Sequence, residues 1–260
     1  MNNENNARVC ELYLSYDKSN VEHAGAQLES KIFLETHNYP KLLDVFMELA
    51  DKGDRTFQHN VGVLFHCIDE VRDYQLAFSW YMKAVAQDFA PAKERLACMY
   101  EFGDGGLPVD LKAAIRLYKE SSDQGNLHST YNLGMILAKG SSCAEKNLPM
   151  ALTLLQAAAE QGHALMKFNF GIIHLEECHN APVANDWFKR AFEEDDVVSV
   201  DLGHYYLGRY NLNIDKKTSS TLSHYWFATA IAYGHEKQVL EIFNGDRSIL
   251  NAFQLQSRFH

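Results

Sequence analysis

The stretch Thr130–Ala164 reads TYNLGMILAKGSSCAEKNLPMALTLLQAAAEQGHA. Its first part is apolar at helical spacing and its middle is a Gly/Ser loop; the rest opens on Asn147 and Pro149 and stops at Gly162. That order predicts a helix, a loop and a second helix ended by glycine. Close relatives of the stretch recur along the chain. With Phe46, Tyr81, Tyr118, Leu155, Phe188 and Phe227 set as equivalent anchors, the spacings are 35, 37, 37, 33 and 39 residues. A period of this length predicts stacked helical hairpins, none able to bury its apolar face without its neighbours.

Other positions keep register with the anchors. Eight residues before them stand Asn38, Asp73, Asp110, Asn147, Asn180 and Ser219, side chains able to accept from the free amides of a helix start. Pro40, Pro149 and Pro182 follow in the first turn, where no amide partner is lost. Four residues before the anchor the side chain is small (Ala77, Ala114, Ala151, Ala184, Ser223), Leu42 excepted. Three after it come Ala84, Ser121, Ala158, Ala191 and Ala230, with Leu49 as the exception. Small residues seven apart share a helical face and admit a close neighbour. Seven after the anchor, Gly53, Asp88, Gly125, Gly162, Asp195 and Gly234 are predicted helix stops, at which glycine supplies left-handed backbone. Gly62, Ala97, Gly134 and Gly171 lie nine residues further on, within the first helix of the next hairpin. The predicted organisation is a capping segment over 1–21, about six hairpins over 22–235, and capping helices over 236–260.

At these residues the sequence resembles the Sel1-like repeat family, a branch of the tetratricopeptide superfamily. Tyr131, Leu133 and Gly134, the loop Gly103–Asp110, Ala151, Ala158 and Gly162 carry the likeness, which covers roughly 22 to 235. The resemblance implies an all-α, right-handed α-solenoid of helix-turn-helix repeats that binds proteins or peptides as an adaptor or scaffold. It also implies that the first helices line a concave groove.

Bulk properties narrow the function. The chain has 260 residues, is 47% apolar and carries a formal charge of −10 at pH 7, with no Lys/Arg stripe to grip a nucleic-acid backbone. No apolar run is long enough to span a bilayer, and the N-terminus does not read as a secretory signal. Cys10, Cys67, Cys98, Cys143 and Cys178 form no CxxC pair, which fits a reduced, cytoplasmic protein.

Chemistry is sparse. His174, Cys178 and His179 lie close in sequence, the first two one helical turn apart, but a third or fourth metal ligand is not evident. Gly103–Gly106 resembles a phosphate cradle only in composition, since it follows a helix rather than a strand. No nucleophile with a nearby base can be named, and no cofactor is called for. A ladder on the first helices stands out: Asn60, Arg95, Asn132 and Asn169 precede the glycine-equivalent position by two, and Tyr206 does so in the shifted last unit. One position past the glycine, Val63, Cys98, Met135, Ile172 and Arg209 make a companion strip. Asparagine amides both donate to and accept from a peptide backbone, and Arg95 has the fork that pairs a carboxylate. The reading is a non-enzymatic binding module. A dedicated one-to-one partner, such as an immunity protein or secretion adaptor, is the alternative within binding, and a metal-dependent hydrolase is the rival class.

Overall fold

A computed structural model of the chain describes residues 38–195 without a break, together with residues 14, 26, 27, 29, 31–33, 36, 226, 227, 229–232 and 235–243. The helices in order are α1 Tyr39–Asp51, α2 Arg55–Cys67, α3 Tyr74–Ala86, α4 Ala90–Phe102, α5 Leu111–Ser122, α6 Leu127–Lys139, α7 Leu148–Gln161, α8 Ala164–Glu176, α9 Ala181–Glu194 and α10 Glu236–Ile242. A 3-10 turn, Asp104–Gly106, follows α4. Among the described residues no strand occurs. The described residues fall in two compact units, divided between Leu154 and Leu155.

The hairpins close because their ends are capped as the sequence predicts. Asp73 accepts from the amides of Gln75 (3.0 Å) and Leu76 (2.9 Å), Asp110 from Ala113 (3.0 Å), Asn147 from Met150 (3.2 Å) and Asn180 from Val183 (3.3 Å). Asn38 is a correction: it stands at the N-cap of α1 with φ −94°, ψ 60°, and its side chain makes no cap bond, leaving Pro40 to open the helix. Ser219 lies outside the described residues. Asp54 and Asn126 cap the alternate helices α2 and α6, a role the anchor register did not predict.

The anchors form the centre. Phe46, Tyr81, Tyr118, Leu155, Phe188 and Phe227 are all buried, as are Ala77, Ala84, Ala114, Ser121, Ala151, Ala158, Ala184, Ala191 and Ala230 around them. Each large apolar side chain removed from water contributes about 1.5–3 kcal/mol. The small position on the first helix seats the anchor of the second. A β-carbon on Gly62 would lie 2.5 Å from Tyr81 Cε1, and one on Gly171 would lie 2.6 Å from Phe188 Cε1. Beside the anchor, Lys83 Nζ sits 3.3 Å from the Trp80 ring centre and Arg190 Cζ 3.8 Å from that of Trp187, the same cation–π pair at equivalent positions of two repeats.

Backbone bonds at the turns repeat with the sequence. The N–H of Asp73, Asp110, Asn147 and Asn180 donates at 2.9 Å to the carbonyl of Phe65, Tyr100, Leu137 and His174 respectively. At the opposite turns the N–H of Asp54, Phe89, Asn126 and His235 donates to the carbonyl of Leu49, Ala84, Ser121 and Ala230. Gly53, Asp88 and Gly125 take the predicted left-handed conformation, with φ of 95°, 58° and 87°. Gly162 and Asp195 do not. Gly162 stays in helical register, its N–H donating to Ala158 O at 2.7 Å, and its missing β-carbon makes room for Met166 Sδ instead. Asp195 is extended, at φ −146° and ψ 108°. Gly234 lies outside the described residues.

Candidate functional site

In the first unit, α2, α4 and α6 are the first helices of successive hairpins and carry Asn60, Arg95 and Asn132; in the second unit α8 carries Asn169. Tyr206 and Arg209 lie outside the described residues. The four described ladder positions are not alike. Asn60 is fully buried at 0% exposure, within a helix whose residues 56 to 65 are all buried. Around it the polar groups of α2 are engaged: Gln58 Nε2 donates to Ala50 O at 3.3 Å, and Gln58 Oε1 accepts from Gln87 Nε2 at 2.9 Å.

Arg95 is expected to pair a carboxylate, and it does so within the chain. Its Nε donates to Glu94 Oε2 at 2.5 Å and its Nη2 to Glu94 Oε1; Glu94 is buried and the Arg95 side chain nearly so, at 11% exposure. Burial pushes the Glu94 carboxyl up, but the guanidinium of Arg95 and hydrogen bonds from Arg95 and Cys98 outweigh it and hold the acid below its ordinary range. Burial likewise works against the Arg95 cation, and Glu94 more than restores it. The pair extends into a network, since Cys98 Sγ lies 3.4 Å from Glu94 Oε1 and accepts from Tyr118 Oη at 3.2 Å. Tyr118 Oη also reaches Glu101 Oε2 at 2.7 Å. Burial and the adjacent Glu94 push the Cys98 thiol up to about 12, which makes it a packing group rather than a nucleophile at neutral pH. Neighbouring His66 places Nε2 3.3 Å from Asp104 Oδ2 and Nδ1 3.5 Å from Tyr81 Oη. Burial, the largest influence, and the cations Arg95 and Arg72 hold His66 below its ordinary value despite the attraction of Asp104.

Asn132 differs from both. It is half-buried, and among the described residues its side chain makes no hydrogen bond. Tyr131 and Met135, on the same helix, are half-buried as well. Asn169 is half-buried too and turns its Nδ2 back to Leu165 O at 2.9 Å. The companion strip runs from buried Val63 to half-buried Cys98, Met135 and Ile172.

Among the described residues the histidine cluster of the second unit gathers no further ligand. His174 packs on the Phe170 ring at 4.6 Å, its buried Nδ1 has no hydrogen-bond partner among the described residues, and burial lowers its pKa. Among the described residues no three His, Cys, Asp or Glu side chains converge as ligands would. Gly103–Asp110 is a structural loop: Gly103, Gly105 and Gly106 have φ of 71°, 66° and 79°, and Gly105 lies against Tyr74 Cβ. No described helix is long and apolar enough to cross a membrane.

Comparison with known proteins agrees with the hairpin register. The family model for the Sel1 repeat matches residues 58–89, 90–126 and 127–163, which are the pairs α2–α3, α4–α5 and α6–α7. The chain is 25% identical over 162 residues to chitin synthase regulatory factor 1 of Schizosaccharomyces pombe; the match covers 62% of this chain and 32% of that one, so the chain spans about a third of its relative's length. Among solved structures it is similar to a Sel1 repeat protein from Oxalobacter formigenes, with a TM-score of 0.63, 21% identity and coverage of 88% of this chain and 98% of the other. A protective antigen of uropathogenic Escherichia coli with an SLR fold gives a TM-score of 0.60 at 22% identity, covering 83% of this chain and 48% of its own. With three Sel1 repeats matched over residues 58–163 in phase with the hairpins, and the same fold in its structural neighbours, the chain is similar to Sel1 repeat proteins and shares their all-α architecture of consecutive helical hairpins.

Proposed function

We propose that the chain is a non-enzymatic, cytoplasmic adaptor or scaffold that holds a protein or peptide segment along its first helices. In the first unit Asn132 is the centre of the contact, with Asn60 and Arg95 framing it from within; Asn169 of the second unit is a separate candidate contact, as are Tyr206 and Arg209 by their register in the sequence. The observation that carries this reading is the half-buried Asn132 amide with no side-chain hydrogen bond among the described residues. A polar group held at the surface in that state binds an incoming peptide amide without first breaking an internal bond. Half-buried Met135 and Tyr131 offer apolar area beside it. The regulatory role printed in the name of the fission-yeast relative supports a binding rather than a catalytic use.

The test is affinity capture from native lysate by wild type and by the double variant Asn132→Ala/Asn169→Ala, read by mass spectrometry and followed by titration of the captured protein. Loss of two hydrogen bonds at about 0.5–1.5 kcal/mol each weakens binding by roughly five- to 150-fold, while melting stays nearly unchanged. Equal capture by both proteins would remove the first-helix surface from consideration.

A further inference from the structure

A second surface of the first unit lies along the loops that follow α2 and α4. In the first unit, the loop after α2 and the loop after α4 are stacked: Gly105 lies against Tyr74, Gln75 Nε2 is 3.5 Å from Gly105 O, and His66 reaches across to Asp104. Three large apolar side chains stand exposed on this edge: Phe102 at 68%, Val109 at 65% and Leu76 at 42%. Val109 is held out by the backbone. A β-carbon on Gly103 would lie 2.9 Å from Leu107 O and 3.1 Å from Val109 Cγ2, so Val109 rests directly on the main chain beside Phe102. Leu107, from the same loop, packs against the core instead. The bond from Asp110 N–H to Tyr100 O at 2.9 Å ties the loop's two ends together. The positive φ values of Gly103, Gly105 and Gly106 fix its path, so the apolar pair is presented without an ordering cost at the moment of binding.

The charged side chains of these two loops and the helix ends beside them are mostly acidic. The carboxylates of Asp69, Glu70, Asp73, Glu101, Asp104 and Asp110 outnumber the cations Arg72 and Lys112; Asp69 is paired with Arg72, Glu101 accepts from Tyr118 Oη, and Asp73 and Asp110 cap helix starts while keeping their net negative charge. His66, which faces Asp104 at 3.3 Å, is held toward its neutral form by burial. We infer that this loop edge docks a basic, apolar segment of a partner protein, with leucine or phenylalanine side chains covering Phe102 and Val109 and lysines or arginines meeting the carboxylates. The two halves of the surface select jointly: an acidic segment is repelled, and a basic segment without apolar side chains leaves Phe102 and Val109 in water.

The edge is distinct from Asn132, so the two readings can fail separately. The probe is a fluorescein-labelled synthetic peptide of alternating Lys and Leu, titrated by anisotropy against the full chain. Two companion peptides carry Glu in place of Lys, or Ser in place of Leu. The expected result is binding of the Lys/Leu peptide alone, weakened at least tenfold by Phe102→Ser/Val109→Ser and by added salt, and unaffected by Asn132→Ala. Because both residues are exposed, melting of the variant should match wild type; Phe102→Lys serves as a second variant with the same expected loss. The inference is overturned if the peptide does not bind, if the Glu or Ser companion binds as well, or if the Phe102 and Val109 variants bind as wild type does. Self-association that the double variant abolishes, seen by sedimentation, would assign the edge to a second copy and overturn it as well.

Discussion

Gly62 has no room for a β-carbon. Tyr81 Cε1 would lie 2.5 Å from it, and the ring cannot retreat because it is fully buried. Gly62→Ala should therefore lower stability although alanine is the better helix former. Overpacking costs about 1–3 kcal/mol against a propensity gain of about 1 kcal/mol at most, and thermal melting reads the balance. Gly171→Ala, facing Phe188 at 2.6 Å, should behave alike. His66 gives a prediction in pH. Its pKa is lowered in the folded chain, so the unfolded chain takes up its proton first as pH falls. Its contribution is complete above the unfolded value of about 6.5 and is lost as pH falls through that value toward the folded one. Melting temperature should drop between pH 7.5 and 5.5, and His66→Gln should flatten that dependence; an unchanged slope would place the sensitivity elsewhere, His174 being the next group shifted in the same direction.

At the scale of one helix, the caps separate residues that look equivalent in sequence. Asp73→Ala removes two cap bonds and should cost about 0.5–2 kcal/mol in urea unfolding. Asn38→Ala should cost clearly less, since Asn38 makes no cap bond. Equal losses would mean that Asp73 acts through something other than its cap. This contrast marks what the sequence could and could not convey. Hairpin register, anchors and small positions were legible because burial imposes a strict period, and four predicted caps at Asp73, Asp110, Asn147 and Asn180 are made. Gly162 was misread because a glycine after a helix reads the same whether it serves backbone conformation or close approach, and only Met166 in space decides between them. The ladder was legible as a register and not as a surface. Nothing in the neighbouring letters of Arg95 told whether Glu94 would fold onto it or point away.

For the whole molecule, the formal charge of −10 sets a long-range term that no single contact reports. Mutual repulsion among exposed carboxylates is screened within about 8–10 Å at moderate ionic strength. Raising sodium chloride from low to physiological concentration should therefore raise the melting temperature, whereas the buried Glu94–Arg95 pair should be little affected. A fall in melting temperature with salt would mean that surface pairing dominates repulsion. The turn bonds carry a consequence for engineering. The bond between the second helix's capping residue and the carbonyl of Phe65, Tyr100, Leu137 or His174 is 2.9 Å long in every case, yet it closes separations of 8, 10, 10 and 6 residues. The clasp is made by backbone alone and is indifferent to the chain looped between its ends. Those loops are natural splice points: replacing the short segment between His174 and Asn180 with the longer one between Tyr100 and Asp110 should add only about 0.5 kcal/mol of closure entropy, so a foreign recognition sequence can be grafted there without disturbing the clasp.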